Sequence, residues 1–382
     1  MIWLVVRYLA TAIPGVALLV YGLAIAVQLP KVWRWVVGAL SGLLVAGAAV
    51  ATAAARTLGT NQYRIPLMLG GAVGVGLMYL GAALVVIAAV NLVWRLVTVR
   101  APRARSPRLT VVRILTVVGL VGALGTTGYG FIQAQQPVVT AYTVTSPRVP
   151  AAFDGLRIAL VTDLHVGATT RNSFLPLVVD QVNAAQPDLI VVAGDVIDGT
   201  VAELRDRVAI LKNLAAPYGV VVTTGNHDWG FDAAAWLALY RSLGLTVLNN
   251  DGITLERAGQ SIAVLGINDR YGTGTLKPNL QQAYDRVQPT GYTILVAHEP
   301  SQVAAQNKLA GRLGVDLQLS GHTHGGQLWP FGYLALLEEP VLDGQHDIAG
   351  VTVITSRGVG TWGPPIRVGA DPEIPVITLR RG

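Results

Sequence analysis

The 382-residue chain has no cysteine, which excludes a disulfide framework and any thiolate metal site but leaves the redox compartment open. Its first 136 residues contain no Asp or Glu, against eleven Lys or Arg. All 22 acidic residues fall in 137–382 beside seventeen basic ones, so that part carries a formal charge of −5. The overall charge of +6 therefore describes neither part. The pI near 9.6 is no nucleic-acid footprint, and no nucleic acid is expected as a partner. Charged residues make up 13% of the chain and apolar residues 52%, too apolar a balance for one ordinary soluble domain. Two physically different domains are expected, 1–136 and 151–382, with a linker over 137–150.

Within 1–136 the uncharged apolar stretches lie at about 8–29, 35–55, 66–94 and 114–133. A helix needs ~20 apolar residues to cross the hydrocarbon core, so the pattern predicts a four-helix transmembrane region. The first stretch is read as a retained helix, because a signal peptide has a shorter apolar segment and a small-residue cleavage site. No Asp, Glu, Lys, Arg or His lies within the four stretches, which favours anchoring over transport, since ionisable residues inside the membrane mark transport pathways. Placing Lys31, Arg34, Arg95, Arg100, Arg103, Arg105, Arg108 and Arg113 inside leaves Arg7, Arg56 and Arg64 outside. That asymmetry predicts a multi-pass cell-membrane protein with an extracytoplasmic N-terminus and C-terminal domain.

Residues 134–150 are polar and contain proline, and read as an extended connection that keeps the following domain close to the membrane. Beyond it, strand-like runs (156–162, 189–193, 220–224, 262–267, 293–297, 317–320) alternate with helix-like ones (174–185, 201–214, 233–243, 280–287). This is the grammar of an α/β layered domain, and the stretch 351–379 is expected to complete a second sheet.

Five of the six histidines sit in short clusters at the ends of those strand-like runs. They are Asp163-Leu164-His165, Gly225-Asn226-His227-Asp228, Ala297-His298-Glu299 and Gly321-His322-Thr323-His324, with a histidine-free Gly194-Asp195 after the first. In α/β sheets ligands gather beyond the carboxyl ends of strands, so separation along the chain does not prevent these groups from meeting. Carboxylate, imidazole and amide donors without thiolate suit Mn, Fe or Zn. Asp163 and His165 can converge on one ion if the backbone turns between them, and Asp195 can bridge two ions through its two oxygens.

The series resembles the calcineurin-like metallophosphoesterases, and the Gly-His-Thr-His-Gly-Gly-Gln form is similar to their membrane-associated branch. The resemblance covers about residues 150–382. It implies a four-layer αββα metallo-dependent phosphatase domain and two divalent metal ions. One ion is held by Asp163, His165, Asp195 and His324, the other by Asp195, Asn226, His298 and His322. It further implies that His227 acts near the phosphate, positioned by Asp228. Two ions ~3.5–4 Å apart lower the pKa of a bridging water and neutralise charge during in-line attack on a phosphate mono- or diester. The short connection makes a lipid-linked or envelope phosphoester the leading substrate class. The alternative is a catalytically silent metal-binding sensor coupled to the helices.

Several neighbouring residues carry blander expectations. Asp198 and Asp269 read as helix caps or turn residues. Glu299, Thr323 and Gln327 are candidates to orient metal-bound imidazoles by sequence proximity alone. His346 is expected to be exposed and Arg357 to form a structural ion pair. Trp229, Trp329 and Trp362 fit either an apolar rim for a lipid substrate or ordinary packing.

Overall fold

The computed structural model describes residues 27–39, 41–43, 64–98, 105–287 and 291–382. The chain divides into two compact units, Met1–Ile132 with Gly363–Ile366 and Gln133–Trp362 with Arg367–Gly382.

In the first unit, α1 (Arg64–Val97) and α2 (Arg105–Gln133) contain segments of 31 and 26 residues long and apolar enough to cross a membrane. Small residues let them approach: a Cβ on Gly119 would stand 3.1 Å from that of Ala83, and one on Gly76 3.4 Å from Thr127 Oγ1. The opposed numbering of these two pairs makes the helices antiparallel. Their outer faces are apolar, with Val85, Val86, Val93, Val117, Val118 and Val121 all exposed. The expected spans 8–29 and 35–55 fall largely outside the described residues, of which 31–39 and 41–43 are helical. Among the described residues two helices, not four, pass the length and hydropathy test.

The second unit contains two six-stranded sheets. The first is ordered β1 (Val138–Ser146), β12 (Glu373–Arg381), β2 (Arg157–Val161), β3 (Leu189–Ala193), β4 (Val220–Thr223), β5 (Thr246–Val247). The second runs β10 (Gly344–Ile348), β11 (Val351–Thr355), β9 (Leu317–Ser320), β8 (Thr293–Val296), β7 (Gln260–Gly266), β6 (Asp251–Arg257). Strand periodicity explains why β3 is apolar throughout: Leu189, Val191 and Ala193 face the second sheet, while Ile190 and Val192 face helices on the other side. Between the sheets, Ile158, Leu160 and Val221 join Val264, Ile294, Val296 and Leu319 in one core. Outside the first sheet lie α3 (Phe174–Ala184), α4 (Val201–Val208) and α6 (Ala233–Ser242), contributing Val178, Leu204 and Trp236. Outside the second lie α7 (Leu280–Tyr284), α8 (Gln302–Ala305) and α9 (Asn307–Leu313). The short α5 (Asn226–Gly230) follows β4. Helices therefore cover both outer faces of a two-sheet sandwich, as the layered α/β expectation required.

Two expectations need correction. The segment expected as a linker contains β1, which runs parallel to β12 in continuous register from Val138 with Glu373 to Ser146 with Arg381. Its polar, proline-flanked sequence looks like a connection because an edge strand buries little; only Val144 of the nine residues is buried. The last stretch does not complete the second sheet alone. β11 joins that sheet, whereas β12 lies in the first, parallel to β1 and antiparallel to β2.

Hydrogen exchange of the full-length protein separates a strand from a linker. The amides of 138–146 that pair with β12 should be protected to a degree comparable with β2, and exchange at the rate of a free peptide would restore the linker reading.

Candidate metal centre

β2, β3 and β4 run parallel in one sheet, and β7, β8, β9 and β11 in the other. Asp163 and His165 follow β2, Asp195 follows β3, Asn226 and His227 follow β4, His298 follows β8, and His322 and His324 follow β9. Backbone bonds extend the ladder past the strands. Asp163 N donates to Gly194 O at 3.1 Å, His165 N to Asp195 O at 3.0 Å and Gly321 N to His298 O at 2.9 Å. The loops after β2 and β3, and those after β8 and β9, are thereby held in register before any side chain acts. Close approach demands glycine at two positions: a Cβ on Gly225 would overlap Asp195, and one on Gly321 would overlap Thr162 and Asp163.

Five candidate ligands adopt the left-handed region: Asp163 (φ 55°), His165 (42°), Asp195 (51°), His322 (73°) and His324 (53°). Such conformations cost non-glycine residues of order 1–3 kcal/mol each, and they persist where surrounding structure over-determines them. They turn Asp163, His165 and His324 toward one group of donors, and Asp195 and His322 toward a second.

The donors fall into two groups. His165 Nε2 and His324 Nε2 stand 3.0 Å apart, with Asp163 Oδ1 3.5 Å from His324 Nε2 and Asp195 Oδ2 3.6 Å from His165 Nε2. In the second group, His298 Nε2 lies 3.3 Å from Asp195 Oδ2, and His322 Nδ1 lies 3.0 Å from Asn226 Oδ1. Donors around one first-row ion at bond lengths of about 2.0–2.2 Å are separated by roughly 3.0–3.6 Å, so these spacings fit a cation in each group. His298 supplies a further test. Its Nδ1 bonds Ala193 O at 2.8 Å, leaving a buried Nε2 without a hydrogen bond of acceptable geometry, aimed at a carboxylate. Two electron-rich atoms face one another there, which requires a proton or a cation between them.

Asp195 Oδ2 belongs to both groups, while Oδ1 accepts His227 N–H at 2.8 Å. One oxygen, rather than two, thus stands at the junction, and the backbone of the next motif occupies the other.

Charges in the centre follow from burial and neighbours. Burial raises Asp163 above the ordinary carboxylate range. Burial disfavours the ionised form of Asp195 too, yet the His298, His165 and His227 imidazoles hold it well below that range. Burial opposes protonation of His165, but the Asp198, Asp195 and Asp163 carboxylates push it up to about 9. Burial and the His298 charge take His322 down to about 3, and burial with His165 and Arg367 takes His324 well below its ordinary value. Both imidazoles are therefore neutral, the form that ligates metal.

The acid that meets the His227 ring is not the expected Asp228. Asp228 is fully buried with Oδ2 accepting Gly225 N–H at 2.8 Å and Asp195 N–H at 3.0 Å, so it secures the loops. Burial and the nearby Asp195 raise it to about 7. The partner of His227 is Asp198, whose Oδ1 lies 2.6 Å from His227 Nδ1 and 3.1 Å from His165 Nδ1. Asp198 closes Gly-Asp-x-x-Asp, and that spacing was the available signal; its turn position concealed the role. Arg367 carried no sequence signal. It is fully buried, its guanidinium donates to Gly358 O, Gly360 O, Ala370 O and His324 O, and it stands 3.2 Å from His324 Nδ1.

Of the residues expected to orient the imidazoles by sequence proximity, Glu299 Oε1 stands 4.0 Å from His322 Nε2. Gln327 bonds the backbone of Trp362, Thr323 donates to Leu342 O, and Glu299 pairs with Arg270 at 2.8 Å. Ala193 O meets the His298 ring, Asp198 the His165 ring and Arg367 the His324 ring. Asp269 is buried with Oδ1 accepting Tyr271 N–H, a turn role. Arg357 pairs with Glu373 at 3.0 Å, and His346 is exposed, both as expected.

Comparison with known proteins identifies the family. Residues 156–326 match the calcineurin-like phosphoesterase family. A bovine transmembrane protein with metallophosphoesterase domain is 34% identical over 283 residues, 71% of this chain and 61% of the relative. An uncharacterised metallophosphoesterase of Bacillus subtilis, YkuE, is 32% identical over 265 residues, 66% of this chain and 90% of that protein. Among solved structures, the phosphopantetheinyl hydrolase of Mycobacterium tuberculosis aligns over 58% of this chain and 98% of its own, at 14% identity and a TM-score of 0.35. The chain spans about six-tenths of the length of its bovine and zebrafish relatives. With the motif loops in place and a relative matched over nine-tenths of its length, the chain belongs to the calcineurin-like metallophosphoesterase family.

Proposed function

We propose that the protein is a membrane-anchored phosphoesterase that uses two divalent cations, Mn, Fe or Zn, to hydrolyse a phosphate mono- or diester. The observation that carries this reading is the convergence of seven nitrogen and oxygen side chains, from five loops, into two groups sharing Asp195 Oδ2. Asp163, His165, Asp195 and His324 would hold one cation, and Asp195, Asn226, His298 and His322 the other. When bound, such a pair supplies positive charge against the phosphate and makes water a competent nucleophile at neutral pH.

The chain's own contribution to turnover centres on His227. Hydrolysis joins the oxygen of water to phosphorus as the ester P–O bond breaks, and the departing alkoxide needs a proton. The His227 side chain is 24% exposed, beside the buried donors. Asp198, held below the usual carboxylate range by the His165 and His227 imidazoles against its burial, accepts from Nδ1. Nε2 is then the nitrogen available to a phosphoryl oxygen or to the leaving group.

The two apolar helices, and the bovine relative's name, support membrane association. The distribution of Lys and Arg supports an extracytoplasmic domain. Only 134–137 separate α2 from β1, which favours a substrate held at the membrane, a lipid-linked or envelope phosphoester.

His227→Ala should reduce turnover about 10²- to 10⁴-fold with metal content unchanged. A silent sensor would instead show no hydrolysis in the parent protein under any metal supplied. Asp198→Ala should lower turnover and also weaken metal binding about 10- to 100-fold, because Asp198 touches both His227 and His165. Asp228→Ala should act mainly on stability, about 1–3 kcal/mol for each of two backbone N–H groups left unpaired, read as a lowered unfolding midpoint. Elemental analysis after chelation and reloading should return two cations per chain together with restored hydrolysis; saturation at one would overturn the binuclear reading.

A further inference from the structure

We propose that the segment Trp329–Leu337, with Trp362, enters the interfacial layer of a lipid bilayer and presents membrane-held phosphoesters to the metal centre. The inference rests on the phosphoesterase reading for its substrate, but not for its surface. No residue of the turn-like helix Phe331–Leu337 is buried. Trp329 is 58% exposed, Tyr333 56%, Leu334 66%, Leu337 82% and Trp362 59%. From Leu328 to Leu337 there is no charged residue. Side chains three apart eclipse in a 3₁₀ turn, so Phe331, Leu334 and Leu337 share one edge. Contiguous exposed apolar surface of this kind marks an interaction site.

The backbone beneath these side chains is held. Trp329 N donates to Val368 O at 2.8 Å, Gly332 N donates to Leu328 O at 2.9 Å, and the Gly326 and Gly332 backbones are in close contact. Gln327 grips Trp362 twice, accepting its N–H and donating to its carbonyl, both at 2.9 Å. Gln327 ends the loop that carries His322 and His324, so the apolar surface is continuous in sequence with the site.

Two observations identify lipid as the occupant. Trp and Tyr beside Leu is the composition of membrane interfaces, where an apolar body with a polar tip is at home. The tether limits distance as well: four residues, spanning at most about 14 Å, connect the end of α2 to β1. No cationic side chain lies between Leu328 and Leu337, Glu338 beside Leu337 is exposed, and residues 137–382 carry a net −5, so nothing there attracts an anionic surface. The partner is therefore a neutral, zwitterionic lipid surface, and its engagement is insensitive to salt.

The absence of cysteine makes the test direct. Full-length Leu337→Cys carries a nitroxide as its sole label after reconstitution into phosphatidylcholine vesicles, and power-saturation EPR compares its collisions with oxygen and with a water-soluble nickel chelate. Leu337 should favour oxygen, while the same label at Asp285→Cys, exposed on the same domain, should favour nickel. A Leu337 label that behaves like the Asp285 label overturns the proposal, as does one shielded from both reagents, which signals burial against a second copy of the chain. In parallel, a variant combining Leu334→Glu and Leu337→Glu should lose at least tenfold in turnover of a phosphoester embedded in the vesicle and keep its turnover of a soluble aryl phosphoester. Equal loss on both substrates also overturns it. The EPR measurement needs no turnover, so an inserted label without hydrolysis counts against the phosphoesterase reading alone, and hydrolysis with a water-exposed label against the surface alone.

Discussion

Three carboxylates, Asp163, Asp195 and Asp228, are withdrawn from water where the carboxyl ends of two sheets meet, and the rest of the domain is arranged to keep them there. A buried carboxylate is costly unless hydrogen-bond donors or cations satisfy it. Asp228 accepts two backbone N–H groups on Oδ2, which ties the loop after β3 to the loop after β4. Asp195 receives the His227 N–H on one oxygen and faces imidazoles with the other. Asp163 receives the His322 N–H and a hydrogen bond from Thr162. Each acid thus binds loops from different strands, and two of the three still lack a counter-charge that imidazoles alone supply only by being protonated. Bound metal would answer that requirement and free the imidazoles to be ligands.

The left-handed backbone at five candidate ligands has the same origin. In ordinary extended geometry residues two apart share a face but stand about 6.6 Å apart along the strand. Left-handed residues at both ends of Asp-x-His and His-x-His turn the chain there, and the Asp163, His165 and His324 donors come within 4.8 Å of one another. The strain is tolerated because the parallel ladder continues beyond the strands through the backbone bonds of Asp163, His165 and Val166 to the β3 loop.

Much of this was legible in the sequence. Strands covered on both faces are largely apolar, so β2, β3, β4 and β8 stand out, while β9 alternates Leu317 and Leu319 with Gln318 and Ser320, and the donor clusters begin where these strands end. The failures share a cause. β1 is an edge strand with one buried residue, and its pairing with β12 joins residues more than 230 positions apart, so no local pattern announces it. Asp228 adjoins His227 in sequence, but a helical turn carries its side chain toward the β3 loop, and the imidazole meets Asp198 from another loop instead. Arg367 has no neighbour in sequence to suggest that its guanidinium knits together three separate backbone segments.

Residue type and spacing by themselves determined that the chain joins an apolar, acid-free region to an α/β domain bearing nitrogen and oxygen donors for divalent metal. Those properties are local, because hydropathy, charge and donor chemistry belong to each residue wherever it lies. Only the tertiary structure decided which oxygen of Asp195 stands between the two groups, which acid serves His227, and which strand flanks β12. Those depend on side-chain direction after long-range pairing, and that direction is set by backbone torsions and sheet register that no stretch of sequence carries alone.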